Sequence, residues 1–548
     1  MPVVTDPGTL AQRGADLVVV GSGAAGLTAA LAAAARGARV IVVERADKIG
    51  GTSAVSGGAI WVPQNHHMAE VGESDSKEEA LAYCLKLGGP TADPTLVETF
   101  VDTAPKVVRF LEDKTPLRFS VWAAPDYHAE IVGGKLKGRS LEPQPIPRSV
   151  LGEAEPFLRP APIYSIPLTL EEIIGGGRLL RGAGLPLQLL EERMTKGMAT
   201  MGQALVTGLL AGCLRLGVHV LLNARARRLL QEEGRVTGVR VQVSDREWDL
   251  VGRLGVVLAA GGFEWNQELT SRFLPFPMQW PNSPPGNEGD ALLMAMEVGA
   301  DLANTHSVWG SPSAFIPGEE YEGHPLARQV GGERNLPHTI MVNRWGRRFA
   351  DEGAPYNDLT KAMAEFDPTS YSYRNIPCWA IMDRQFRSRY PIMTVMPGDP
   401  DPEWLVRADS LPELAGKIGV DAERLVETVD RWNSFVAQGE DREFGRGKNP
   451  FARYSGDPDA PHPNLGTVAQ PPFYALPVYP GALGTNGGPR VNQRGQVMHV
   501  RGHPIPGLYA AGNTIAAPLG GAYCGGGGTL APAITFGYIC GVTATERM

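Results

Sequence analysis

The stretch "ADLVVVGSGAAGLTAALAAAARGARVIVVER", Ala15–Arg45, decides the fold. Leu17 to Val20 is a β-branched apolar run, suited to a strand buried on both faces. Gly21, Gly23 and Gly26 follow at its exit with GxGxxG spacing. Ala24 to Ala35 reads as an alanine-rich helix, and Val40 to Val43 as a second buried strand ending at Glu44. Each part has a mechanical reason. Gly21 permits a tight turn. Gly23 lets a pyrophosphate approach the backbone at the positive end of the helix, whose first turn holds Ala24 and Ala25. Gly26 lets helix and strand pack closely. Glu44, next to Arg45, can accept hydrogen bonds from both ribose hydroxyls. GxGxxG alone is weak, but strand, helix, strand and acid in this order read as a dinucleotide-binding unit.

Working outward, "GGTSAVSGGAIW" (Gly50–Trp61) brackets hydroxyl residues between glycine pairs. Thr52, Ser53 and Ser56 are candidate donors to phosphate or flavin edge atoms. Gly51, Gly57 and Gly58 let backbone lie against a flat ring. "VVLAAGGFEWN" is a third buried strand ending at Ala260 and Gly261, and "GNEGDALLMAMEVGA" places Asp290 where a loop enters a helix. "GLYAAGN" is a late strand whose turn contains Gly512 and Asn513. An NAD domain would continue into another regular βαβ unit, so these features favour FAD. Together they resemble the flavoproteins related to fumarate reductase and succinate dehydrogenase. Covalent members carry the flavin on a histidine six residues before a glycine pair. Counting back from Gly57 gives Gly51, which implies non-covalent FAD.

The composition agrees. With 43% hydrophobic and 20% charged residues the chain reads as globular, and 548 residues exceed one compact core. A net charge of −8 argues against a nucleic-acid surface. Five scattered cysteines without a CxxC pair fit a reducing compartment, and the N-terminus lacks signal-peptide character, so a cytoplasmic location is expected. No uncharged apolar run reaches the roughly 18 residues of a membrane span, which is compatible with peripheral membrane contact only.

The expected fold class is α/β: a Rossmann-like FAD-binding domain with an inserted α+β substrate-capping domain. Residues 1–287 form its first FAD-binding part, with a proline-rich, irregular, lid-like elaboration at about 100–190. Residues 288–472 form the capping domain, and 473–548 return to the FAD-binding fold.

Three tyrosines stand in distinctive contexts. Tyr127 lies in "APDYHAE", Tyr356 in "ADEGAPYNDL" and Tyr523 in "GGAYCGGGGTLAP". These contexts, with "GGTSAVSGGAIWVP", resemble 3-ketosteroid Δ1-dehydrogenases and their ketone-desaturating relatives over most of the chain. The resemblance implies that Tyr356 is the base, that Tyr127 assists it, and that Tyr523 and the backbone N–H of Gly527 hold the ketone oxygen. The helix after Gly528, through Thr529 and Leu530, would point its positive end at the flavin. It also implies a cyclic ketone as substrate, first a 3-ketosteroid and otherwise a smaller ring such as cyclohexanone or an oxocyclohexane carboxylate, with an external electron acceptor. The sequence departs from the steroid pattern at Cys524, where proline is usual, and at Ala531, where glycine is usual.

Rival readings are weaker. A fumarate-type reductase would need arginines on two carboxylates, with Arg344, Arg347 and Arg348 as candidates. A non-catalytic FAD-binding protein would not need three tyrosines in such contexts. His66-His67 is read as a loop pair rather than a metal site, because no further ligand spacing is present. Cys524 is read as a packing residue.

Overall fold

The computed structural model describes residues 3–4, 6–8, 10, 14–175, 186–546 and 548. It is a mixed α/β fold organised around two large sheets. At the centre of the nine-stranded sheet, Ala15–Val20 runs parallel between Val40–Val43 and the second half of Arg246–Leu258. Every residue of the first two strands is buried, as their unbroken apolar runs require. Pro504–Ala510 adds a further parallel strand beside Val256–Leu258, so the chain's end completes the sheet that its beginning starts. The first half of Arg246–Leu258 folds away into a hairpin with Arg235–Val243.

Two apolar helices cover this sheet. Ala24–Ala34 is buried at every position and packs on the C-terminal helix, Leu530–Thr545. Small residues permit the close approach: a Cβ on Gly537 would stand 2.4 Å from the carbonyl oxygen of Ala25. No helix among the described residues is long and apolar enough to cross a membrane.

Part of the segment expected to be irregular is a regular helix, Pro94–Lys114. Asp93 caps it, accepting from the amides of Thr95 and Leu96, and Pro94 occupies its first turn. Leu96, Val97, Phe100, Val101, Ala104, Val107, Val108 and Leu111 are buried along it, a helical period that the neighbouring prolines obscured. Beyond it the chain forms short strands, 3₁₀ turns and one α-helical turn, Leu170–Ile173, up to Gly175. Residues 176–185 of the expected lid lie outside the described residues.

The second sheet runs in the order His324–Gln329, Val308–Tyr321, Phe473–Thr485, Cys378–Asp383, Thr339–Asn343. Phe473–Thr485 is therefore its central strand, and the chain rejoins the first sheet only at Gln496–Met498, later than the expected 473. The segment "FYALPVYPGALGT" carries no local mark of which strands it pairs with. Likewise Trp280–Pro281 already pairs in the second sheet, ahead of the expected boundary at 288. Helices Leu411–Ile418 and Ala422–Gln438 back this sheet. Beside them, Arg348 bonds Glu352 at 2.7 Å and Asp441 at 2.9 Å and stacks on Trp432, a buried charge made tolerable by two carboxylates.

Candidate active site

One cavity of about 870 Å³ runs from the end of the Val40–Val43 strand to the space between the two sheets. Its first half is built from the GxGxxG turn. Gly21 has φ +106°, and a Cβ there would lie 2.3 Å from the carbonyl oxygen of Ala259, just past the end of the neighbouring strand, so only glycine fits. Gly26 does not face the cavity. A Cβ on it would sit 2.0 Å from the Gly21 carbonyl oxygen, which is the helix–strand packing role expected of it. Glu44 receives the Ser22 hydroxyl at 2.6 Å and the Ser22 amide at 3.1 Å, which fixes its carboxylate at the cavity wall. Ser22, inside the motif, was not singled out from sequence.

Apart from Gly26 and Gly528, every residue expected to touch the cofactor lines this cavity. Several of their side chains hold one another. The Ser53 hydroxyl accepts the Ala24 amide at 3.0 Å, and Asn287 donates to the Thr52 hydroxyl at 3.0 Å. Ser56 donates to the Ser53 carbonyl at 2.8 Å. Asp290 pairs with Arg225 at 2.6 Å and with Arg45 at 3.6 Å, and Arg45 also donates to the Gly286 carbonyl. The Gly528 amide is not free: it bonds the Gly525 carbonyl at 2.9 Å, and the C-terminal helix begins at Leu530. A long trough of bare backbone, an acid at one end and a helix N-terminus at the other fit FAD.

The far end is aromatic. Tyr127, Tyr356 and Tyr523 come from three distant segments and converge with ring centroids 5.3 to 5.5 Å apart. The Tyr127 hydroxyl donates to the Tyr356 hydroxyl at 3.1 Å. Trp309 and Phe451 close the cluster, meeting Tyr523 and Tyr127 at 5.4 and 4.4 Å. Backbone bonds fix the relative positions. The Tyr127 amide donates to the Cys524 carbonyl at 3.0 Å, and Asn357 donates to the Gly521 carbonyl at 3.1 Å. Tyr356 starts the helix Tyr356–Met363, which packs on Val308–Tyr321 through a bond from the Gly310 amide to Asn357.

Gly527 lies beside this cluster with φ +96°, and a Cβ on it would fall 2.4 Å from the Ile60 Cα. Its carbonyl receives the Trp61 amide at 3.2 Å, while its own N–H makes no bond to a described residue. Trp61 is braced in turn by Asp126, at 2.7 Å, which Arg139 holds at 2.8 Å. Burial pushes the Asp126 carboxyl up to about 6, against the pull of Arg139 and Trp61. Burial also drives all three phenols above their ordinary value.

Other candidates fall elsewhere. Arg344, Arg347 and Arg348 do not line the cavity; Arg348 is held by Glu352 and Asp441. Cys524 is buried with its thiol 3.9 Å from that of Cys84, and burial pushes it well up, which suits packing rather than nucleophilic attack. His66-His67 gains a third potential ligand that spacing did not offer: Glu112, from the helix Pro94–Lys114, lies 3.0 Å from each imidazole. Arg334, in the cavity wall, carried no sequence signal. Trp309 was also unremarked; it donates to Asn513 at 3.0 Å and so joins the cradle to the tyrosines.

Comparison with known proteins fits this geometry. Residues 16–530 match the model of a family described as an FAD binding domain. A 4-oxocyclohexanecarboxylate 2-dehydrogenase of Sinomonas cyclohexanicum is 39% identical over 96% of this chain and 92% of its own length. A 3-oxosteroid 1-dehydrogenase of Mycobacterium tuberculosis is 37% identical over 97% of this chain and 98% of its own. The crystal structure of a 3-ketosteroid Δ1-dehydrogenase from Sterolibacterium denitrificans, in complex with 1,4-androstadiene-3,17-dione, superposes with a TM-score of 0.91. It is 35% identical, covering 97% of this chain and all of that one. A cradle shaped for FAD, three tyrosines at its far end and these near full-length similarities lead to one statement: the chain belongs to the FAD binding domain family of flavoproteins, beside the ring-ketone dehydrogenases.

Proposed function

We propose that this protein is an FAD-dependent dehydrogenase that introduces a carbon–carbon double bond next to a ring ketone, with a 3-ketosteroid desaturated at position 1(2) as the first substrate. The observation that carries it is the convergence of Tyr127, Tyr356 and Tyr523 beside Gly527 at the end of the FAD cradle. The first sheet serves as a Rossmann-like FAD-binding domain and the second as its substrate cap. The cofactor is held without a covalent bond, Gly51 standing where a linking histidine would be. Five free, buried cysteines support a cytoplasmic setting.

Bound FAD supplies the acceptor for the hydride that leaves the β-carbon. The protein's own residues manage the proton and the developing charge. The Tyr523 hydroxyl and the Gly527 N–H aim at the ketone oxygen and form an oxyanion hole, stabilising the enolate that builds up as the α-proton leaves. Tyr356 accepts that proton at its phenol oxygen. Tyr127, donating to the same oxygen, stabilises the phenolate that must precede it. Burial of the cluster excludes water and strengthens each of these interactions.

The 39% identity to an oxocyclohexanecarboxylate dehydrogenase supports a second reading, desaturation of a smaller ring acid at the same tyrosines. Anaerobic incubation with androstenedione, with 4-oxocyclohexanecarboxylate and with cyclohexanone separates the two. The expected product is two mass units lighter than the ketone, in proportion to flavin reduced. No desaturated product from any ring ketone would refute the proposal.

A further inference from the structure

A tyrosine base inside an apolar cluster poses an electrostatic problem, because burial disfavours phenolate. Tyr127 relieves it only in part, since burial acts on that phenol too. The groups facing Tyr356 are few. Tyr127, Tyr523 and Tyr164 are neutral phenols of the cluster. His128 and Asp358 pair with each other at 2.7 Å, with Glu130 and Lys361 beside them. Glu352 is taken by Arg348 and Arg446. Asp351 accepts the Gly353 amide, and Glu333, in the same cavity wall, accepts the amides of Gly331 and Met393; both carboxylates act on Arg334 through space without contacting it. Arg334 remains.

Arg334 is 5% exposed, on the short helix Gly332–Asn335, and lines the cavity with the three tyrosines. Its Nε donates to the Val330 carbonyl at 3.0 Å, and its Nη1 to the carbonyls of Glu352 at 2.5 Å and Ala354 at 2.7 Å. Ala354 stands two residues before Tyr356. Nη2 has no hydrogen-bond partner among the described residues, and no carboxylate of theirs lies within 4 Å. The other buried arginines of this region differ: Arg348 and Arg446 both reach Glu352. A buried guanidinium without an ion pair is costly, and burial pushes Arg334 down to about 10, which still leaves it protonated at neutral pH.

We propose that Arg334 is a positioning residue for the base: it fixes the Ala354 carbonyl, and with it the start of the helix bearing Tyr356, and its charge, which no carboxylate of the described residues contacts directly, stabilises the phenolate shared by Tyr356 and Tyr127. The cost of burying it is offset when that phenolate forms. The inference rests on the ring-ketone reading above.

The test is the pH dependence of kcat/KM for Arg334→Gln and Arg334→Lys holoenzyme, on a ring ketone that wild type desaturates, with FAD content measured alongside. Glutamine keeps donors without charge; lysine keeps charge with fewer donors. For R334Q the alkaline rise should move up by about one to two pH units, a loss of about 10- to 100-fold at neutral pH that shrinks at high pH. R334K should stay within about half a unit of wild type. A loss by R334Q that is equal at every pH, or a rise unmoved from wild type, would overturn the assignment while the ring-ketone reading stands. A loss confined to ketones bearing a carboxylate would also overturn it, and would make Arg334 a substrate contact. Should only one variant retain FAD, its own profile decides by the same criterion. If wild type desaturates no ring ketone, the underlying reading itself fails.

Discussion

The FAD cradle and the tyrosine cluster share one cavity but are built in opposite ways. The cradle is mostly backbone: Gly21, Gly23 and Gly51 leave room, and the hydroxyls of Ser22, Ser53 and Thr52 tie neighbouring loops together. The cluster is mostly side chain, with Tyr127, Tyr356 and Tyr523 brought from segments more than 150 residues apart in sequence. A cradle of backbone tolerates little at its tight turns and determines whether the cofactor stays. A cluster of phenols can lose one hydroxyl, keep its packing and change only the rate.

Substitutions should separate the two. Gly21→Ala has the largest expected effect, since its Cβ would meet the Ala259 carbonyl at 2.3 Å in a left-handed backbone. Purified protein should be colourless; a variant with wild-type FAD content would break the distinction. Tyr356→Phe should retain FAD and lose about 10²- to 10⁴-fold in kcat/KM, the usual contribution of a general base. Because burial holds these phenols above their ordinary value, wild-type kcat/KM should rise with pH through neutrality into the alkaline range, and a profile flat over that range would argue against a tyrosine base. Tyr523→Phe should cost about 10²- to 10³-fold as one oxyanion donor is lost. Tyr127→Phe should cost least of the three, about tenfold, because it removes a hydrogen bond to the base and not the base itself.

The smallest effect concerns the latch behind the cluster. His128 bonds Asp358 at 2.7 Å and Glu130 at 3.1 Å, tying the Tyr127 loop to the Tyr356 helix. Burial opposes its charge, but the two carboxylates prevail and raise it from 6.5 to about 9. A raised imidazolium stabilises the fold fully below the unfolded value near 6.5, and that contribution fades as pH climbs through 9. The Tm gap between wild type and His128→Gln should therefore be widest near pH 6 and close above 9. A gap constant across that range would rule the latch out.

This contrast also explains what the sequence disclosed. GxGxxG, the glycine pairs and the flanking apolar strands form a local pattern, because a βαβ unit is made from contiguous residues. The tyrosines were found through their family contexts, and spacing alone would not have joined them. Arg334 and Trp309 had no local mark: one acts on carbonyls from a distant loop, the other reaches across to Asn513. The same limit applies to strands. "FYALPVYPGALGT" was expected in the FAD-binding fold, but its place at the centre of the second sheet depends on partners from Val308–Tyr321 and Cys378–Asp383. Glu112 meets His66 and His67 only because the helix Pro94–Lys114 runs past them.

The most direct measurement mixes holoenzyme anaerobically with androstenedione, 4-oxocyclohexanecarboxylate and cyclohexanone in turn and follows flavin absorbance, in wild type and in Tyr523→Phe with equal FAD content. Wild type should bleach with at least one ketone, and Tyr523→Phe should bleach the same ketone about 10²- to 10³-fold more slowly. Bleaching at equal rates in the two proteins, or none with any ring ketone, would contradict a ketone held at Tyr523 and Gly527.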